Sequence, residues 1–122
     1  MYKLSELESW KSARQLRILI SELIKNFPAD EKFRLKDQII RSSRSIPANI
    51  AEGFGRFHYQ ENIQFCRIAR GSLYETLEHL MCAKDEGFIN DEQFKNTNEQ
   101  ILECLKILNG YVQYLKKAKK ST

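Results

Sequence analysis

The positions Phe94, Asn98, Ile101, Leu105, Leu108, Val112 and Leu115 follow one another in alternating steps of four and three, and all but Asn98 are apolar. A helix turns once every 3.6 residues, so these steps lay a stripe along one face. This is the spacing of a helix packed at a shallow angle in a bundle. Three earlier segments carry the same period. The first, from about Ser5 to Phe27, aligns Leu7, Trp10, Ala13, Ile20, Ile24 and Phe27, with Leu16 and Leu23 on the shoulder. The second, from Phe33 towards Phe54, uses Ile39, Ile40, Ile46, Ile50, Ala51 and Phe54. The third, from about Tyr59 to Glu86, uses Ile63, Cys66, Ala69 or Arg70, Leu73, Leu77, Leu80 and Met81. The fourth runs from about Asp91 to Lys119. Links near residues 28–33, 55–59 and 87–91 are short, which makes successive helices antiparallel neighbours. The expected fold is all-α: one antiparallel up-down-up-down four-helix bundle domain over residues 1–122.

Local signals set the expected boundaries. Ser5 followed by Glu8 reads as a capping box, and Pro28 stops the first helix. Gly53 and Gly55 are expected to end the second helix, because glycine readily takes the left-handed conformation there. Gly87 is the matching residue after the third. Gly71, in the middle of that helix, costs about 1 kcal/mol against alanine, which suggests the close approach of another helix. A second stripe on the fourth helix, Ile107, Tyr111, Tyr114 and Ala118, has two readings. It is a wide core face with tyrosine hydroxyls reaching water, or it is a subunit interface.

With 122 residues, 42% of them hydrophobic and 30% charged, the chain is long enough to fold around a core without staples. No apolar run approaches the roughly 20 residues of a membrane span. The opening MYKLSELESW lacks the apolar centre of a secretory signal, so a cytoplasmic location is expected. Cys66, Cys82 and Cys104 are odd in number and widely spaced, which gives neither a disulfide framework nor a zinc set. Each reads as a small hydrophobe.

Residues 41–56, RSSRSIPANIAEGFGR, depart from a plain bundle pattern. Pro47 lacks an N–H and crowds the carbonyl four residues back, at a cost of about 3 kcal/mol inside a helix. It marks a bend in the second helix, with the Ser42, Ser43 and Ser45 hydroxyls placed to satisfy freed backbone groups. Catalytic patterns are sparse. His58 and His79 have no partner at metal-ligand spacing, and Gly53-Phe-Gly55 lacks a phosphate-loop signature. The expectation is a non-enzyme with no cofactor and no metal.

The net charge is +4, and residues 1–56 hold the excess, with 11 Lys or Arg against 7 Asp or Glu. Arg14 and Arg17, Arg41 and Arg44, and Arg67 and Arg70 are i,i+3 pairs; Lys11 and Arg56 add to them. Like charges so placed repel on a bare helix. They are tolerable facing carboxylates, Glu52 and Glu75 being candidates, or facing phosphates. Arginine's planar fork suits both, so an internal salt-bridge network and a phosphate-binding surface both stand. The tail Lys116, Lys117, Lys119 and Lys120 is a solvated end or a further phosphate attractor.

The stretch from Gln38 to Arg56, with Pro47, Asn49, Glu52, Gly53 and Gly55 at its centre, resembles the signature of a bacterial four-helix-bundle family. Its members were first noted as reading frames in intervening sequences of 23S ribosomal RNA genes. Phe65-Cys-Arg-Ile-Ala-Arg-Gly71-Ser72-Leu73-Tyr-Glu75 is similar to the family's second block. Trp10 with Ala13, and Phe27-Pro28 followed by Glu31, Phe33 and Leu35, are similar to its N-terminal block. Phe33-Arg34-Leu35 departs from the family's common Tyr-Gly-Leu. The resemblance implies a homo-oligomer, a pentamer as in relatives that form pentameric barrels. Among these is the accessory variability protein of diversity-generating retroelements, which binds nucleic acid and engages a reverse transcriptase. It thus implies RNA or DNA, and a reverse transcriptase or another protein, as partners. The sequence-level expectation is a non-catalytic nucleic-acid binder using Arg14, Arg17, Arg41, Arg44, Arg56 and the lysine tail. The alternative is a structural or adaptor oligomer whose arginines are internal.

Overall fold

The structure, a computed structural model, describes residues 3–121. Four long helices carry the chain: α1 (Glu8–Leu23), α2 (Leu35–Phe54), α3 (Tyr59–Asp85) and α4 (Asp91–Ser121). Single 3₁₀ turns stand at Leu4–Glu6, Ile24–Asn26 and Ala29–Glu31, and there is no strand among the described residues. Helix α1 packs on α2, α2 on α3, α3 on α4, and α4 back on α1, so the four surround one core. Pairings across the seams run in opposite sequence senses. Ser42 meets Thr76 while Ser45 meets Ser72; Asn62 meets Tyr111 while Lys84 meets Asp91.

The apolar stripes converge as their period requires. Leu16, Ile20, Ile39, Ile46, Ile50, Ile63, Leu73, Leu80, Ile101 and Leu108 are almost fully buried. Each such side chain contributes about 1.5–3 kcal/mol by leaving water. Leu16 lies at the centre of the α1 face rather than on its shoulder, and Ala69, not Arg70, takes the inner position on α3. Met81 is a correction: it is exposed, and Ala83 is buried instead. One residue turns a helix by 100°, so Met81 cannot share the inward direction of Leu80.

Helix ends follow hydrogen bonds more than composition. Helix α1 begins at Glu8, because Ser5 is spent inside the Leu4–Glu6 turn; the expected capping box does not form, and Leu7 stands at the N-cap without a side-chain bond. A reciprocal box forms instead at α4. The Asn90 side-chain oxygen accepts the Gln93 N–H, and the Gln93 side-chain oxygen accepts the Asn90 N–H, both at 2.8 Å. Gly87, at φ 77°, closes α3, with the Phe88 N–H donating to the Ala83 carbonyl at 2.8 Å and the Gly87 N–H to Lys84 at 3.0 Å. That is a Schellman closure, and it needs the left-handed conformation glycine tolerates.

The α2–α3 seam is the most extensive helix pair in the bundle. Small residues allow it, because helix separation is set by the side chains at the contact. Gly53 is buried inside α2, and a Cβ there would lie 2.7 Å from Asn62 Oδ1 and 2.9 Å from Phe65 Cβ. Gly53 is therefore a packing residue, and Gly55 caps the helix at φ −75°, so neither takes the left-handed conformation expected of them. Hydroxyls line the same seam. Thr76 Oγ1 lies 2.9 Å from Ser42 Oγ and 2.8 Å from the Ser72 carbonyl, and Ser45 Oγ lies 2.8 Å from Ser72 Oγ. Asn49 braces Ser45 by donating to its carbonyl at 2.8 Å. Helix α2 continues through a buried Pro47. Ser42 and Ser43 donate to the carbonyls of Ile39 and Ile40, not to the Ser43 carbonyl that Pro47 frees.

Gly71 behaves oppositely. It is exposed, and nothing lies within 4 Å of the position a Cβ would take, so the expected close helix approach does not occur within the chain.

Candidate nucleic-acid interface

Grooves open along several of the seams between helices, and basic side chains gather in two of them. Between α1 and α2, Arg17 and Arg44 line a small groove of about 60 Å³ with Ile20, Ile24, Ile40 and Ser43. Arg14 is exposed one turn before Arg17 on α1. Between α3 and α4, Arg67, Arg70 and Lys116 line a larger groove of about 340 Å³ with Asn109 and Gln113. None of these six cations has a carboxylate partner among the described residues. Lys117 and Lys120 are also exposed and have no carboxylate partner among the described residues, and α4 stays helical through all four tail lysines. Lys119 donates to Gln60 and so ties the tail to the start of α3.

The other basic candidates are engaged. Arg41 Nε lies 3.0 Å from Asp37 Oδ2, an exposed i,i+4 pair worth about 0.3–0.5 kcal/mol. Arg56 reaches Glu52 at 3.4 Å and Glu61 at 3.2 Å, and its guanidinium sits over the Phe65 ring at 5.1 Å. Glu75 bonds His79 at 3.2 Å, not an arginine. Of the arginines in residues 41–56, only Arg56 meets either of the carboxylates Glu52 and Glu75. Arg41 takes Asp37 instead, and Arg44 takes none.

A third cleft, of about 680 Å³, opens where the 55–58 link passes over the ends of α1 and α4. Phe54, Phe57, Tyr59, Tyr111 and Tyr114 give it an aromatic lining, and Ser9, Arg56, His58 and Asn62 supply polar groups. The Tyr111 and Tyr114 rings are near-parallel, 11° apart with centroids at 6.4 Å. Asn62 donates to the Tyr111 hydroxyl at 2.9 Å. The second stripe of α4 thus forms a wall of this cleft, with Tyr111 half-buried and Tyr114 exposed.

Of the cations that sequence reasoning singled out, Arg14, Arg17, Arg44, Lys116, Lys117 and Lys120 have no carboxylate partner among the described residues, whereas Arg41 and Arg56 do and Lys119 bonds Gln60. Sequence reasoning did not bring Arg67 and Arg70 together with Lys116. Their only sequence signal was one face of α4 carrying Asn109, Val112 and Lys116 at helical spacing. The aromatic cleft was also missed, because its walls come from both ends of the chain and from the central link. The thiols are separate. Burial pushes the Cys66 thiol up to about 11, and burial also raises Cys104, with the Ser12 hydroxyl beside it acting the other way. Among the described residues no three of His, Cys, Asp and Glu converge as a metal set, and no helix is long and apolar enough to cross a membrane.

Comparison with known proteins agrees with the fold. A solved protein of unknown function from Bacteroides thetaiotaomicron, of the S23 ribosomal protein family, superposes with a TM-score of 0.78. It is 27% identical, and the match covers 85% of this chain and 97% of that one. No curated protein matches the sequence. The family profile described as 23S rRNA-intervening sequence protein matches residues 5–110, nearly the whole bundle, and the chain therefore belongs to that family.

Proposed function

We propose that this protein is a non-catalytic homo-oligomer that binds nucleic acid by charge, through phosphate contacts that do not read sequence. One observation carries the reading: like charges converge in grooves that hold no carboxylate, Arg17 with Arg44 on one side and Arg67, Arg70 and Lys116 on the other. Convergent cations cost energy in an unbound protein, and a phosphate backbone returns it. Arginine forks suit phosphate oxygens in particular. The test is a titration of nucleic-acid affinity against salt. Each phosphate contact on duplex DNA contributes about −0.9 to the slope of log K against log salt. An Arg17→Ala, Arg44→Ala double variant is expected to lower the magnitude of that slope by about 2. Absence of binding at low salt sinks the proposal.

Assembly is part of the same proposal, with a pentamer and a reverse-transcriptase partner as its most specific forms. The outer face of α3 supports it. Ile68, Tyr74 and Met81 are exposed around the open Gly71. Apolar groups grouped on one face are a feature of protein interfaces. Sedimentation of the full chain tests assembly; a monomer at all concentrations removes it.

A further inference from the structure

We propose that the aromatic cleft receives an unpaired nucleobase, so that the protein prefers single-stranded nucleic acid to duplex; this rests on the nucleic-acid reading above. Four observations support it. The volume of about 680 Å³ falls in the usual range for a small-ligand site. Its walls include aromatic faces left in water: Phe57 is 99% exposed and Tyr114 is 62% exposed, although each sits beside the mouth of a cleft that would shelter it. Exposed aromatic faces next to a cationic surface are what single-strand binders use, since every base has a π-face to stack.

The third observation is an unmet polar group. Ser9 lines the cleft, is 3% exposed, and its hydroxyl has no hydrogen-bond partner among the described residues. A buried hydroxyl left unpaired is unfavourable. A base edge, which carries donors and acceptors in one plane, supplies a partner, and Asn62, His58 and Glu8 stand around the same cleft for its remaining groups. A purely apolar occupant would leave Ser9 as it is.

The fourth observation is placement. Tyr114 and Leu115 line the cleft, and Lys116, the next residue, lines the groove of Arg67 and Arg70. Lys117 follows Lys116 directly and Lys120 lies one turn further along the same helix. The C-terminal half of α4 therefore separates an aromatic cleft from a cationic groove. A single strand crossing it sets phosphates against one flank and turns a base into the other. A duplex keeps its bases stacked and paired, and cannot do this without paying to extrude one.

The probe is a fluorescently labelled single-stranded oligonucleotide, the same strand annealed to its complement, and the same strand with abasic sites, each titrated by anisotropy at several salt concentrations. The wild-type protein is expected to bind the single strand at least about tenfold tighter than the duplex or the abasic strand, the scale of one base–aromatic stack. A Tyr114→Ala, Phe57→Ala double variant is expected to lose that preference while keeping its duplex affinity and its salt slope; Tyr114→Trp is expected to retain it. Both side chains are exposed, and an unchanged melting curve confirms that the variant is folded. Equal affinity for the three probes, or variants that weaken all three alike, overturns base capture and leaves the phosphate reading standing. No binding of any probe at low salt removes both.

Discussion

Two glycines, 18 positions apart, face opposite surroundings. Gly53 lies in the α2–α3 seam, where a single added carbon would overlap Asn62 and Phe65. Gly71, on α3 itself, looks outward onto empty space between exposed apolar side chains. From the sequence alone Gly53 reads as a helix terminator and Gly71 as a contact point, yet the close contact falls at Gly53 and Gly71 has none within the chain. The difference shows that glycine in a helix has no single meaning. Its meaning is set by whether the neighbouring backbone arrives at that height of the bundle. One face of α3 is packed within the chain; the other, with Ile68, Tyr74 and Met81, is exposed.

Four substitutions and one modification sharpen this contrast. The largest effect is expected in the closed core. Leu73→Ala should cost about 2–5 kcal/mol by leaving a cavity, whereas Met81→Ala on the open face should stay within about 0.5 kcal/mol. Comparable losses in denaturant titrations of the two would mean that Met81 is covered. Gly53→Ala should be next, at about 1–3 kcal/mol, because the added carbon overpacks the seam. A melting temperature unchanged by Gly53→Ala would show that α2 and α3 can separate freely there.

Gly71→Ala should act in the opposite direction, stabilising the folded monomer by about 0.4–1 kcal/mol through a less flexible unfolded chain. The same variant distinguishes the readings of the open face. If sedimentation shows that the variant loses an assembly the wild type has, a neighbouring copy must approach at Gly71. The smallest effect concerns the thiols. Burial raises the pKa of all three thiols, with Glu86 adding to it at Cys82, so access decides, and a thiol reagent at mildly alkaline pH should label half-buried Cys82 before buried Cys66 and Cys104. Labelling of Cys66 at the Cys82 rate would mean that the α3 core opens in the native state.

Much of the architecture was legible in the chain because helix formation and burial are both periodic. The four stripes, the three short links and the closing role of Gly87 are local properties, read within a window of a few turns. The Ser5 box failed for a local reason of a different kind: Ser5 lies inside a 3₁₀ turn, and the reciprocal box that does form belongs to another helix, α4, through Asn90 and Gln93. Arginine identity was also visible, yet its partners were not. Arg41 and Arg56 found carboxylates at i−4, within reach of their own helix, while Arg17, Arg44, Arg67 and Arg70 did not.

The sequence by itself determined the class of fold, four amphipathic helices around one core, because hydrophobic period and link length leave few other ways to hide the apolar faces. Only the tertiary structure decided which charges stand alone and where the clefts open. Arg70 and Lys116 are 46 positions apart, and Ser9 and Tyr111 are 102 apart, yet each pair lines one groove. Proximity of that kind depends on the rotation and height of each helix in the bundle. Those are set by the sum of all packing contacts, and no single segment of the chain carries that information.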